Sequence, residues 1–178
     1  GFGTRGSEGI INTSNFAREN NIPYLGICFG FQLAAVSFAR NVCNYSDANS
    51  TEIEEKTSNP IIDLLPEQDD VTDMGGSLRL GANEINVKPN TLANKIYGQE
   101  RISKRHRHRY EFNTKYLDEF AENGMIFSGE SDNGRRMEIL EIPSHKFFVG
   151  VQFHPEFNSR PGYPEQVFKA FTTAANQN

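Results

Sequence analysis

The 178-residue sequence contains no tryptophan and only two cysteines, Cys28 and Cys43. Two thiols supply neither a disulfide framework nor a structural zinc site, and we expect a reduced, cytoplasmic setting. No run of about 18 apolar residues is present, so no membrane-spanning helix is expected. The net charge is −5, so the composition does not indicate the basic surface that nucleic-acid binding requires. The length suits one domain with a sizeable core.

One of the two cysteines lies in the most informative run of the chain. Residues 24–27 are apolar and predict a buried strand, and residues 29–39 predict a helix with an apolar face. Cys28 lies between them, flanked by Gly26 and Gly30, in the pattern of a nucleophile elbow with sulfur in place of oxygen. The helix N-terminus predicts a Cys28 pKa below that of a free cysteine. A buried cysteine in a tight strand–helix turn is the alternative interpretation.

A second motif follows far along the chain, where the apolar run 147–153 ends in His154, Pro155 and Glu156. In an extended segment, residues two apart point to the same side, so His154 and Glu156 can meet. Pro155 stiffens the backbone between them. An imidazole oriented by a carboxylate is what a thiol nucleophile needs, although a lone His-Pro-Glu is more often an ordinary turn. In one chain, the two motifs predict a Cys–His–Glu triad.

The remaining sequence alternates predicted helices and strands, which indicates an open α/β sheet. A polar stretch at 49–76 interrupts this alternation, and its apolar residues at 61–65 predict one short turn within an exposed excursion. The other predicted elements are a short helix at 14–20, strands or a hairpin at 77–88, a helix at 116–123, strands at 125–128, 136–142 and 147–153, and a closing helix at 164–175.

Together, the elbow and the His-Pro-Glu run resemble the class I, triad-type glutamine amidotransferases. Further runs are similar to the amidotransferase domain of the CTP synthase family: residues 1–9, 47–52, 105–111 and 159–161. The similarity extends from Gly1 to about Phe171, nearly the whole chain. Phe29 and Phe31 stand where this family usually has leucine and methionine. Because residue 29 contributes mainly its backbone amide, we expect this departure to be tolerated.

The resemblance implies a fold, a reaction and partners. The fold would be an open, mostly parallel sheet flanked by helices, flavodoxin-like and lacking its first strands. Residues 1–178 would form one glutamine amidotransferase domain, the C-terminal fragment of a longer enzyme whose synthetase domain is absent. This domain would hydrolyse L-glutamine and supply ammonia for ATP-dependent amination of UTP. It would need no cofactor; ATP and Mg would bind the synthetase domain, GTP is a possible activator, and the full-length enzyme would be a homotetramer.

The resemblance also assigns roles to individual residues. Cys28 would be the nucleophile, His154 the acid–base group and Glu156 its orienting carboxylate. Oxyanion donors would come from the Phe29 amide and the turn at Gly1. The L-glutamine site would comprise Gly1, Phe29, Gly30, Phe31, Gln32, Glu52 and Arg109. Glu52 would hold the substrate ammonium and Arg109 its α-carboxylate. Without the resemblance, Gln32 is a helix-surface glutamine, Glu52 a helix-capping glutamate and Arg109 a solvated arginine.

Alternative functions stay open at this point. A γ-glutamyl hydrolase would share Cys28 and His154, but would have no reason for the runs 47–52 and 105–111. A non-catalytic regulatory domain could keep the same sequence. His106 and His108 suggest a metal pair, but no further ligand cluster lies nearby in sequence, and we predict no metal site.

Overall fold

The computed structural model describes residues 1–65 and 78–177. Its helices are α1 Ser7–Glu19, α2 Phe29–Asn41, α3 Leu92–Tyr97, α4 Leu117–Glu122 and α5 Gln166–Ala175. Its strands are β1 Tyr24–Ile27, β2 Asn49–Ser50, β3 Pro60–Asp63, β4 Arg79–Val87, β5 Arg101–His108, β6 Glu111–Phe112, β7 Ile126–Ser131, β8 Arg136–Glu141 and β9 Phe148–Val151. None of the helices in these ranges has the length and apolar character needed to cross a membrane.

Six strands form the main sheet in the order β1-β9-β8-β7-β4-β5, and β2, β3 and β6 form a small second sheet. The predicted α/β class is confirmed. The described main sheet is mixed rather than mostly parallel, because β1 and β9 are its one parallel pair. The connections from β7 to β8 and from β8 to β9 are too short for a crossover, so these neighbours run antiparallel.

Apolar side chains cover both faces of the sheet. One cluster lies under α1, α2 and α4, and a second lies under α3 and α5. Helix α2 is buried on nearly all sides, since every residue from 31 to 39 is buried. Phe31 is fully buried and contacts Phe127 edge-on. The sequence predicted one apolar face on α2, but the buried surface of the helix is wider than that face, because the helix packs against α1 as well as the sheet.

The predicted elements differ from the structure in several places, and helix α3, for example, was not predicted. Helix α1 begins at Ser7 rather than near residue 14. Residues 60–63, predicted as part of an exposed excursion, form strand β3, in which Ile61 and Ile62 are fully buried. Residues 66–76 of that predicted excursion lie outside the described residues. Tertiary packing, rather than local composition, decides the state of short apolar runs such as 61–62.

Candidate active site

The turn that carries Cys28 joins the end of β1 to the start of α2. Cys28 has φ 51° and ψ −100°, a conformation that is strained for a residue with a side chain. Its amide donates to Val151 O at 2.8 Å, and its carbonyl accepts from Gln32 N at 3.1 Å. These bonds hold the turn to β9 on one side and to the first turn of α2 on the other. The strained conformation at this point is that of a nucleophile elbow.

The parallel pairing of β1 with β9 brings the two motifs to one edge of the sheet. Ile27 pairs with Val151, so the residues that follow these two strands leave the sheet together. His154 then follows Val151 by three residues, and its amide donates to Arg105 O at 2.9 Å. The structure therefore places Cys28 and His154 on the same side of the molecule, 126 positions apart in sequence.

Glu156 orients the His154 ring. Its Oε1 lies 2.6 Å from His154 Nδ1, as the spacing of two residues predicts. Because a carboxylate accepts, Nδ1 carries a proton, and the neutral ring has its lone pair on Nε2. His154 Nε2 is buried without a hydrogen-bond partner among the described residues. An unpartnered, buried imidazole nitrogen is free to exchange a proton with a reacting group.

The Cys28 side chain is buried, with 4% of the residue exposed. Its sulfur lies 3.7 Å from Gln152 Nε2 and 3.8 Å from the carbonyl oxygen of Arg107. Burial raises the pKa of the Cys28 thiol to about 11, and the carboxylates of Glu156 and Glu52 add to that increase. The predicted low pKa of Cys28 is therefore wrong, because desolvation outweighs the hydrogen bond from the Phe29 amide.

The turn at residues 1–3 packs against the start of α2. A Cβ added to Gly1 would lie 3.4 Å from Phe29 Cδ1, so the two residues are in contact range. The amide of Gly3 donates to Glu52 Oε1 at 2.8 Å. The structure thus brings Gly1, Phe29 and Glu52, three predicted site residues, to the same side of the elbow. The Glu52–Gly3 bond also shows that Glu52 holds this turn in place.

Gly30, Phe31 and Gln32 follow one another at the start of α2 but have different contacts. Gln32 is buried, and its Nε2 donates to Tyr110 O at 2.9 Å and to Gln152 Oε1 at 3.2 Å. Gly30 O accepts from the Tyr24 hydroxyl at 2.9 Å. The side chain of Phe31 lies in the core rather than at the elbow, so only its backbone is available to a ligand.

Arg109 follows β5, whose side chains alternate as predicted between exposed arginines and buried histidines. Arg109 is partly buried, and its Nε has no hydrogen-bond partner in the described part of the chain. On the buried face, His106 Nε2 lies 2.8 Å from Glu138 Oε2, and His108 Nε2 lies 3.0 Å from Glu111 Oε1. These two histidines therefore anchor the strand that precedes Arg109.

Gln152, Arg105 and Arg107 contact the site and were not predicted as site residues from sequence. Gln152 and the carbonyl of Arg107 lie beside the Cys28 sulfur, and the carbonyl of Arg105 accepts from the His154 amide. A contact through a backbone carbonyl leaves no signal in the sequence. The Gln152 side chain did leave a signal, because it is a polar residue at the end of an apolar run. In an extended segment it points to the same side as His154, two positions later.

The chain is similar throughout its length to known amidotransferases. The family described as Glutamine amidotransferase class-I matches residues 1–174. CTP synthase from Archaeoglobus fulgidus is 56% identical over 175 residues, which are 98% of this chain and 33% of that protein. CTP synthase from Staphylococcus saprophyticus is 57% identical over the same length and the same shares. The chain thus spans about a third of the curated relatives that it matches.

A solved structure has the same fold. The Trypanosoma brucei CTPS glutaminase domain with bound acivicin superposes with a TM-score of 0.94 at 37% identity, covering 100% of this chain and 69% of that one. A glutamine amidotransferase from Thermotoga maritima superposes with a TM-score of 0.51 at 15% identity, covering 84% of this chain and 47% of that one. At that identity the second likeness is one of fold alone.

Proposed function

The chain belongs to the class I glutamine amidotransferase family, and we propose that it hydrolyses L-glutamine with a Cys28–His154–Glu156 triad, as the ammonia-supplying domain of a CTP synthase. The observation that carries the proposal is that two paired strands end in a strained, buried cysteine on one side and, on the other, in a histidine whose Nδ1 is bound by a carboxylate. The Nε2 of that histidine, which is buried and has no partner among the residues that the structure describes, supports the same assignment.

The reaction begins with transfer of the Cys28 proton to His154 Nε2. The thiolate attacks the side-chain amide carbon of glutamine, and the carbonyl electrons move to oxygen. The Phe29 amide and the turn at Gly1 donate hydrogen bonds to this oxyanion, and one such donor is typically worth about 3 kcal/mol of barrier. His154 then gives its proton to the departing nitrogen, which leaves as ammonia, and a γ-glutamyl thioester remains on Cys28.

Water completes the cycle. His154 removes a proton from the water as it attacks the thioester, and the collapse of the second tetrahedral intermediate returns that proton to sulfur and releases glutamate. Glu156 keeps the imidazole in one tautomer and stabilises its charged form in both halves of the reaction. The high pKa of free Cys28 is consistent with a thiol that ionises only as the proton passes to His154, with substrate in place.

Substrate recognition uses charge complementarity. Glu52 pairs with the α-ammonium of glutamine through the oxygen that Gly3 does not occupy. Arg109 pairs with the α-carboxylate, a planar match that guanidinium makes well. Gln32, held by Tyr110 and Gln152, fixes the wall of the site between these charges together with the backbone of Gly30 and Phe31.

The rest of the proposal concerns the longer protein. Ammonia released here passes to a synthetase domain that binds ATP, Mg and UTP and forms CTP, a step of pyrimidine biosynthesis in the cytoplasm. GTP activates the coupled reaction, and the full-length enzyme is a homotetramer. The basis is the similarity to CTP synthases of which this chain spans 33%.

Replacement of Cys28 by alanine tests the core of the proposal, with Cys43→Ala as the matched control. Cys43 is the other buried free thiol. In the full-length protein, we expect Cys28→Ala to abolish glutamate release and glutamine-dependent CTP formation, while ammonia-dependent CTP formation continues. Cys43→Ala should retain all three. Glutamate release by Cys28→Ala near the wild-type rate would refute the assignment.

Labelling supplies an independent measurement. Acivicin, the compound bound in the Trypanosoma brucei structure, should add its mass to the peptide that contains Cys28 and not to the peptide that contains Cys43. Parallel assays with glutamine, γ-glutamyl peptides and no substrate separate this activity from a γ-glutamyl hydrolase and from a non-catalytic domain.

A further inference from the structure

We propose that Gln152 is a further catalytic residue, whose side-chain amide donates a hydrogen bond to the Cys28 sulfur and stabilises it as a thiolate. The proposal rests on the proposed function in one respect, the role of Cys28 as nucleophile. Gln152 follows directly after β9 and is fully buried. Its backbone amide donates to Glu138 O at 2.8 Å, so the residue is fixed to β8 as well as to the elbow.

The orientation of the Gln152 amide follows from its neighbours. Tyr110 O is a carbonyl and can only accept, so the group that Gln32 places 2.9 Å from it is an NH₂. The same NH₂ lies 3.2 Å from Gln152, which must therefore present its oxygen to Gln32. The Gln152 NH₂ is then left to point at the Cys28 sulfur, 3.7 Å away. A carbonyl of the main chain thus fixes which end of Gln152 faces the nucleophile.

A donor at this point acts on the charged form of the sulfur. Hydrogen bonds to a charged acceptor are stronger than those to a neutral one, so the Gln152 NH₂ favours thiolate over thiol. Other groups also act on the thiol: the carboxylates of Glu52 and Glu156 disfavour the thiolate, and the amide of Phe29 favours it. Gln152 is neutral, so it stabilises the thiolate without taking or losing a proton during the reaction.

Alkylation of Cys28 tests this contact without any need for glutamine. The rate of reaction with iodoacetamide is measured from pH 6 to 11 in a Cys43→Ser background, so that Cys28 is the thiol that reacts. We expect Gln152→Met, which keeps the volume and removes the donor, to lower the rate at pH 8 by about tenfold or more. Gln99→Met, at an exposed position, is the matched control and should leave the profile unchanged.

A second variant keeps the test decisive if the methionine variant does not fold. Gln152→Glu retains the shape of the side chain but places a carboxylate oxygen where the NH₂ was, next to the sulfur. The alkylation profile should shift to higher pH by more than about one unit. An unchanged profile in either folded variant, as judged by circular dichroism, would overturn the proposal. Glutamate release is measured on the same proteins and on the parent with Gln152 intact. A shifted profile together with a parent that releases no glutamate would refute the proposed function while the contact stands.

Discussion

Gly26 and Gly30 are in direct contact across the turn that carries Cys28. A Cβ on Gly26 would lie 2.6 Å from Gly30 O and 2.9 Å from Tyr24 Cε1, distances that real Cβ atoms do not show. At Gly30, by contrast, the nearest atom to an added Cβ is the Tyr24 hydroxyl at 3.8 Å. The two glycines of the elbow motif therefore have different roles: the first permits the close approach of strand and helix, and the second leaves open space.

This difference predicts opposite outcomes for two equal substitutions. Gly26→Ala should lower the free energy of unfolding by about 1–3 kcal/mol, because backbone atoms must move, and should also displace Cys28. Gly30→Ala lies in the first turn of α2 and should be neutral or stabilising by up to about 1 kcal/mol. Urea unfolding and Cys28 labelling measure both effects. Equal free energies of unfolding for the two variants would contradict this prediction, because they would show that the backbone near Gly26 accommodates the added methyl group without extra cost.

Glu156 should affect turnover and not substrate binding. Glu156→Gln removes the charge that stabilises the imidazolium and permits the wrong tautomer of His154. We expect kcat for glutamate release to fall by about 10²–10⁴-fold, with KM changed by less than about threefold. Glu122→Gln, an exposed change on α4, is the control. A rise in KM at normal kcat would place Glu156 in substrate binding instead.

Glu52 has two separable functions, since one oxygen accepts from Gly3 N at 2.8 Å and the charge is proposed to bind the substrate ammonium. Glu52→Gln keeps an oxygen for Gly3 and loses the charge, so KM should rise by about tenfold with kcat little changed. Glu52→Ala loses both, and kcat should fall as well, because the turn that carries the Gly1 donor is released. Identical kinetics in the two variants would contradict this separation.

The strained turn at Cys28 and the contact between His154 and Glu156 were predictable from sequence, because each depends on a short run of residues with local geometry. The elbow needs small neighbours around Cys28, and two-residue spacing alone brings Glu156 to His154. The Glu52–Gly3 and Gln152–Cys28 contacts join residues 49 and 124 positions apart, and no local pattern specifies them. Strand β3 was missed for the same reason, since Ile61 and Ile62 are strand residues only through their partners.

The Cys28 pKa was predicted wrongly because burial cannot be inferred from a motif. Position at a helix N-terminus favours the thiolate, but the Cys28 sulfur is buried against Gln152 and the carbonyl of Arg107. The degree of desolvation at Cys28 depends on segments from distant parts of the chain.

Glu138 links the stability of the fold to the site. Its carboxylate is fully buried and accepts from Arg79, Ser131 and His106 at 2.6, 2.5 and 2.8 Å. Burial raises the pKa of Glu138, but the hydrogen bond from His106 and the charge of Arg79 outweigh it and lower the pKa to about 2. His106 belongs to β5, whose backbone carbonyls at Arg105 and Arg107 contact His154 N and Cys28 Sγ.

Stability should consequently depend on pH in a defined window. Because the folded-state pKa lies below the ordinary value of 4.5, ionised Glu138 stabilises the fold above about pH 4.5. That contribution is lost as the pH falls towards 2. It amounts to about 3 kcal/mol. Glu138→Gln should remove this pH dependence and lower the free energy of unfolding at pH 7 by about 3–5 kcal/mol. Arg79 would lose its close carboxylate partner and keep Glu111, whose carboxylate lies at the longer distance of 3.7 Å.

Glu84→Gln, an exposed change on β4, is the matched control and should stay within about 0.5 kcal/mol of wild type. Urea unfolding at pH values from 2 to 7 measures the window. If β5 transmits the loss to the site, Glu138→Gln should also alkylate Cys28 with an altered rate at pH 8 under conditions where it is still folded. If the free energy of unfolding changed with pH in the same way for Glu138→Gln and wild type, Arg79 and His106 would not be holding Glu138 ionised. Strand β5 would then be fixed to the rest of the sheet by its main chain alone.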